Sequence, residues 1–223
     1  MNLTSHLRFA SLVASLALLA FAPVARGQLI AVEQERFVRT FVNASQCGGQ
    51  FLSDERQAPD FRPFTALVDT EHGCEGGLAQ STAGQRSVMT PTSLSAVGGG
   101  RVAGFGPNFG VVHAFAHSTV DVVFDVESPT TISLDGMLTA RKTLNVIEAR
   151  TSLSIAPLNA QPVFFRELEG DGPRLTERFN ERLTLQPGRY RLYLTADCIM
   201  DNTIPPDAAA DAAYRLNLNV IRN

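Results

Sequence analysis

Apolar and polar side chains alternate along much of this chain with a period of two. That period puts every second side chain on one face of a pleated strand, so it marks strands with one buried face. The clearest run is Ser118 to Val126, where Val120, Val122, Phe124 and Val126 fall on one face and Thr119, Asp121 and Asp125 on the other. Pro129 ends it, and Ile132, Leu134 and Leu138 predict the next strand, with Asp135-Gly136 placed for a bulge or tight turn. Leu183 and Leu185 lead into Gln186-Pro187-Gly188, a turn in which Pro presets φ and Gly accepts a positive φ. Beyond it Tyr190, Leu192, Leu194 and Ala196 share a face against Arg189, Arg191 and Thr195, and the last strand sets Tyr214, Leu216, Leu218 and Val220 against Arg215, Asn217 and Asn219.

Shorter segments fit the same pattern: Phe37 to Asn43, Phe61 to Val68, Ser87 to Leu94, Arg101 to Phe105 and Val111 to Phe115, with Val97-Gly98-Gly99-Gly100 as a separator. The first two of these read as an antiparallel hairpin. One helical turn is expected around Asp207 to Ala212, where Asp can cap and the Ala run has high helix propensity. One-sided strands belong in facing sheets with wet outer surfaces. The expected fold is therefore all-β: an antiparallel two-sheet β-sandwich, jelly-roll-like, of ten to twelve strands with little helix. Its core should contain Val122, Phe124, Leu192, Leu194, Leu216 and Leu218. Tyr190 and Tyr214 fall on core faces, which leaves Tyr193 as the one outward tyrosine.

Composition narrows the function classes. The chain of 223 residues is 44% hydrophobic and 18% charged, as in a globular domain. A formal charge of −3 removes the electrostatic case for nucleic acid. Met1 to Gly27 reads as a cleaved secretory signal peptide: Arg8 in the n-region, an apolar run from Phe9 to Phe21, and Ala25-Arg26-Gly27 as a small-x-small cleavage site. That run is short of the roughly 20 residues that span a bilayer. Cleavage leaves residues 28–223 as one β-sandwich domain, secreted or periplasmic, with no transmembrane anchor and a charge of −5. Cys47, Cys74 and Cys198 are disulfide candidates, and in an oxidising compartment one bridge and one thiol are expected. If the first two short strands form a hairpin, Cys47 lies at its turn end and Cys74 beyond its open end. Cys198 then bridges to one of them.

Several spaced motifs recur in order: Ala83-Gly84-Gln85-Arg86-Ser87-Val88-Met89, Ala114-Phe115-Ala116-His117-Ser118 leading into the Val120 to Val126 alternation and Pro129, Leu185-Gln186-Pro187-Gly188-Arg189-Tyr190, and Ala213-Tyr214-Arg215-Leu216-Asn217-Leu218. Their succession resembles the uncharacterised exported β-sandwich proteins of the PEP-CTERM-type secreted group. The resemblance implies an exported sandwich and no catalytic residues. The chain departs from the group in ending at Asn223 without the Pro-Glu-Pro motif, apolar tail and basic terminus, so the sorting and anchoring route is not expected.

Candidate chemistry is sparse. His113 and His117 are four apart, which on a helix would pair them on a metal. On a strand, four residues span about 13 Å, so two separate sheet-face histidines are expected. Glu71-His72-Gly73-Cys74-Glu75 gathers an imidazole, a thiol and two carboxylates, with Cys74 read as half of a disulfide. Two acidic stretches offer oxygen ligands for calcium: Glu167 to Gly172, and Asp197, Asp201, Asn202, Asp207 and Asp211. No G-x-S-x-G elbow, H-E-x-x-H, Walker loop or dinucleotide fingerprint occurs. The leading reading is a non-catalytic structural or interaction module outside the cytoplasm, with a polysaccharide or an envelope protein as partner. The alternatives are a carbohydrate-binding module, for which Trp is absent and Tyr193 is the one outward tyrosine, and a sandwich hydrolase.

Overall fold

The structure is a computed structural model and describes residues 27–44, 48–74, 77–105, 111–143, 146, 148–203 and 208–221. Most of the signal segment, Cys47 and Asp207 lie outside the described residues. Twelve strands follow one another: β1 (Ile30–Ala44), β2 (Phe51–Gln57), β3 (Phe64–Cys74), β4 (Gly77–Thr90), β5 (Ser93–Phe105), β6 (Val111–Val126), β7 (Thr130–Lys142), β8 (Glu148–Pro157), β9 (Phe164–Glu169), β10 (Leu175–Leu185), β11 (Gly188–Thr203) and β12 (Ala208–Val220). Sheet I has the order β2-β1-β6-β11-β8-β9 and sheet II the order β10-β7-β12-β5-β4-β3, every pairing antiparallel. The expected two-sheet antiparallel sandwich is what the chain forms.

The inward parity of each strand builds the core. Val120, Val122, Phe124 and Val126 of β6, Ile132, Leu134 and Leu138 of β7 and Leu216 and Leu218 of β12 belong to one core, each at most 2% exposed. Leu192 and Leu194 of β11 are fully buried beside them. Phe124 stacks on Tyr190 with centroids 5.9 Å apart, and the Tyr190 hydroxyl donates to the Gln186 carbonyl. Tyr214 is 2% exposed and exchanges a 2.9 Å hydrogen bond with Ser118 across the sandwich.

Several local expectations are corrected by tertiary contacts. The first two short segments do not form a hairpin: β1 pairs with β2 and β6, and β3 lies in sheet II beside β4. Between them runs β2, an edge strand whose polar sequence Ser53-Asp54-Glu55-Arg56-Gln57 hides it from a hydrophobic-pattern search. Val111 to Phe115 and Ser118 to Val126 are one strand, β6. The Ser87 to Leu94 segment contains the β4–β5 turn at Pro91-Thr92.

Gly98 to Gly100 do not separate strands but lie inside β5, because the opposite side chains need the space. A Cβ at Gly98 would sit 2.5 Å from both the Ser118 hydroxyl and the Tyr214 hydroxyl, and one at Gly100 would sit 2.8 Å from the Ala116 Cβ. Asp135-Gly136 is neither bulge nor turn, since the registers of β7 with β10 and β12 run through it unbroken. Gly136 is there because the Phe179 ring occupies the place of a side chain. The helical turn at Asp207 to Ala212 is absent over its described part: Ala208 to Ala212 begin β12, with Ala208, Ala210 and Ala212 buried. Pairing with β5 and β7 outweighs the intrinsic preference of alanine.

The bridge expected from Cys198 is not formed. Cys198 has the inward parity of β11, is fully buried, and its free thiol donates to the Gly100 carbonyl of the opposite sheet at 3.2 Å. Burial pushes this thiol well above its ordinary range.

Candidate functional site

The outward parity of sheet I carries most of the side chains that chemistry can use, and the register aligns them in rows. Arg39 of β1, His117 of β6, Asp197 of β11 and Arg150 of β8 form one row. Phe41, Phe115, Ile199 and Glu148 form the next, and Asn43, His113 and Asp201 the one after. The two histidines thus share a face and remain four residues apart, each on its own aspartate: His113 Nδ1 on Asp201 and His117 Nδ1 on Asp197.

His117 is the centre of a wider network. Thr119 Oγ1 lies 2.5 Å from His117 Nε2, and Thr195 Oγ1 donates to the second Asp197 oxygen at 2.9 Å. The Phe37 ring covers the imidazole with centroids 5.1 Å apart. Hydroxyl, imidazole and carboxylate stand in the order of an acyl-transfer triad. Two facts set the arrangement apart from one. Thr119 is 2% exposed, so its hydroxyl does not meet solvent. The main chain of β6 is paired with β1 on one side and β11 on the other, so its amides are not free to form an oxyanion hole. What the network does is hold the His117 and Asp197 side chains in fixed positions on an otherwise open sheet.

Beside it lies an aromatic platform. The Phe41 and Phe115 rings stack at 5.3 Å with their planes 12° apart, and Phe51 of the edge strand adds a third ring 5.8 Å from Phe41. Phe51 is 72% exposed. The Arg39 guanidinium sits over the Phe115 ring at 5.3 Å and reaches Glu55 at 3.5 Å. The Phe41 and Phe115 faces are thus covered by one another and by Arg39, and Phe51 is the exposed ring of an apolar patch edged by His113, Asp201, Arg39 and Glu55.

The far end of the same face is ionic. Arg191 binds both Asp121 oxygens, and Arg189 binds Asp125 at 2.7 and 2.9 Å. Bonding to Arg189 holds the Asp125 carboxyl below the usual range, and bonding to Asp121 raises the Arg191 guanidinium. Burial, with the charges of Asp197 and Asp121, raises the Tyr193 phenol. Glu33, Glu35, Asp121, Val123 and Arg191 line a shallow depression of about 510 Å³.

Of the four calcium candidates, the three among the described residues lie on two different faces. Asp197 and Asp201 point out of sheet I onto the histidines, whereas Asp211 points out of sheet II toward Arg101 at 3.7 Å, and Asp207 is outside the described residues. Alternation also parts Glu71 from His72: Glu71 faces out and accepts from Gln80 at 2.6 Å, whereas the His72 Nδ1 is buried. Glu169 of the other acidic stretch, Glu167 to Gly172, pairs with Lys142. Among the described residues no three His, Cys, Asp or Glu side chains come together as a metal cage.

Outward Trp and Tyr, the usual sugar-stacking residues, do not reveal the phenylalanine platform. The signal is present: Phe37 and Phe41 share the parity of Arg39 and Asn43, and Phe115 that of His113 and His117.

No protein-family model matches the chain, and no curated protein matches it. Among solved structures it is similar to the enzymatically active domain of bacteriophage CBA120 tailspike protein 4, at 14% identity and a TM-score of 0.29 over 70% of this chain and 19% of that one. It is similar to TmCBM61, solved in complex with beta-1,4-galactotriose, at 9% identity and a TM-score of 0.26 over 70% of this chain and 88% of that one. A third is the infectious bursal disease virus Gx strain, at 10% identity and a TM-score of 0.27 over 92% and 59%. The chain spans less than two thirds of the tailspike and of the viral chain. None of the three transfers a ligand or a residue role.

Proposed function

We propose that this chain is an exported, non-catalytic binding module that takes a neutral carbohydrate on the outer face of sheet I. The observation that carries the reading is the stacked Phe41–Phe115 pair extended by exposed Phe51. A sugar ring presents a flat C–H face to an exposed ring such as Phe51, and hydroxyls at its rim. Here the rim holds His113, Asp201 and Arg39, side chains already fixed by their own partners, so binding orders few further groups. The signal-like segment Met1 to Gly27 supports export, and N-terminal sequencing of secreted protein is expected to begin at Gln28.

The test is a glycan array with polysaccharide pull-down of the full chain, followed by affinity measurement of Phe51→Ala for the retained glycan. A neutral glycan is expected to be retained, and loss of the exposed ring to weaken it about tenfold. Retention of no neutral glycan, or unchanged affinity in the variant, overturns the reading.

A further inference from the structure

The two outer faces of the sandwich treat arginine differently. On sheet I, Arg39, Arg150, Arg189 and Arg191 each have a carboxylate partner. Of the six arginines facing out of sheet II, only Arg101 has one, Asp211. Arg86, Arg141, Arg178, Arg182 and Arg215 are exposed and have no carboxylate partner among the described residues. In a chain with more acidic than basic residues, this segregation leaves one face with guanidinium groups free to bind.

Register arranges three of them in a line. Arg86 of β4 is opposite Val97 of β5, Val97 is opposite Arg215 of β12, Arg215 is opposite Met137 of β7, and Met137 is opposite Arg178 of β10. The row runs across the strands with an arginine on every second one. Successive guanidinium stems therefore stand about 9.5 Å apart, two inter-strand spacings. Val97, 50% exposed, and Met137 supply apolar surface between them. One flank is low, because Gly84, Gly99 and Ala213 form the adjacent row. The other flank is polar, with Ser95, Asn217, Asp135 and Asn180 in register. Between Arg215 and Arg178 the face sinks into a depression of about 420 Å³ over Gly136 and Phe179, with Asp135 and Asn180 at its rim.

We propose that this face docks a linear polysaccharide carrying carboxylates, its chain crossing the strands along Arg86, Arg215 and Arg178. A guanidinium binds a carboxylate through two parallel N–H donors, so a line of free arginines is complementary to spaced carboxylates. The charge spacing selects the polymer. A nucleic acid duplex places a phosphate every 3.4 Å along each strand, too dense for arginines about 9.5 Å apart with Val97, Met137 and the Asp135 carboxylate among them. Sugars between the charged units meet the apolar residues with their C–H faces, and their hydroxyls meet Asp135, Asn180 and Asn217. The site is separate from the phenylalanine platform on the opposite face.

Affinity electrophoresis and titration calorimetry of the full chain with hyaluronate, whose carboxylates sit on every second sugar, at low salt, test the proposal. Single-stranded DNA and anionic phospholipid vesicles serve as competing polyanions. The wild type is expected to bind hyaluronate more tightly than either, and Arg86→Gln/Arg178→Gln/Arg215→Gln to lose about tenfold or more in affinity with an unchanged melting temperature. Arg150→Gln/Arg189→Gln/Arg191→Gln, which removes three charges from the other face, is expected to bind like wild type, as is Phe51→Ala. Failure of the wild type to bind, equal loss in the two arginine variants, or tighter binding of DNA or vesicles overturns it. Loss of hyaluronate binding in Phe51→Ala overturns it too, by moving the site to the platform.

Discussion

Strand parity decides the role of each residue, and neighbours in sequence therefore differ sharply in what they contribute. Phe124 is 1% exposed in the core, and Asp125 beside it is on the outer face with Arg189. Phe124→Ala is expected to cost about 3–5 kcal/mol in denaturant unfolding, the range for a buried ring, and Asp125→Ala far less. Equal losses would show that the faces are assigned wrongly. Arg36 carries a charge on the inward side of β1 and is 2% exposed. Its guanidinium donates to Gln34, Ser87 and the Asp60 and Arg62 carbonyls, tying down the chain that crosses from β2 to β3. Burial lowers this guanidinium from its usual range. Tyr214 sets the response to alkali. Burial raises its phenol, so above about pH 10 the unfolded chain gives up a proton that the folded chain keeps, and stability falls as pH rises by about 1.4 kcal/mol per pH unit. Cys198 acts in the same direction. Urea unfolding between pH 8 and 11 is expected to show this slope, and Tyr214→Phe to reduce it.

Glycine is what lets β5 hold its place as a central strand. Its inward face meets large or close neighbours, so the strand gives up side-chain volume at Gly98 and Gly100 to admit Tyr214, Ser118 and Ala116. Gly98→Ala is expected to destabilise by about 1–3 kcal/mol, the cost of overpacking a filled core. Gly84→Ala on β4 tests the same chemistry on the outer face. There the added Cβ meets chiefly the Leu67 side chain at 3.3 Å, and Leu67 is 72% exposed and free to move. Thermal unfolding of the two variants side by side should separate them. A comparable loss in both would show that the β5 glycines serve backbone conformation rather than packing.

Two six-stranded sheets enclosing one core make the interior thiol a reporter of global unfolding. Cys198 lies near the middle of β11, paired on both sides, and reaches the opposite sheet. In a Cys47→Ser/Cys74→Ser background, alkylation of Cys198 is expected to proceed only through global opening, at rates that follow denaturant-measured stability. Rapid alkylation under native conditions would mean that β11 opens locally or that the thiol lies elsewhere.

The sequence by itself determined the strands whose two faces differ strongly in polarity, because alternation is a local property of covalently adjacent residues. It thereby determined the sandwich class, the core role of Phe124, Leu192 and Leu216, and the separation of His113 from His117. It did not reveal β2, whose polar residues carry no alternation, nor the use of Gly98 and Gly136, whose purpose is room for Tyr214 and Phe179. Strand order was beyond it: β1 lies beside β6 because of contacts between residues some eighty positions apart, not because of a short turn. Both candidate sites depend on that order. The platform needs Phe41 and Phe115 to stand in register, and the arginine row needs β4, β12 and β10 at alternate places in one sheet. Parity along a strand assigns a side chain to a face, but only pairing between strands chooses its neighbours there, and pairing is fixed by the packing of the whole core.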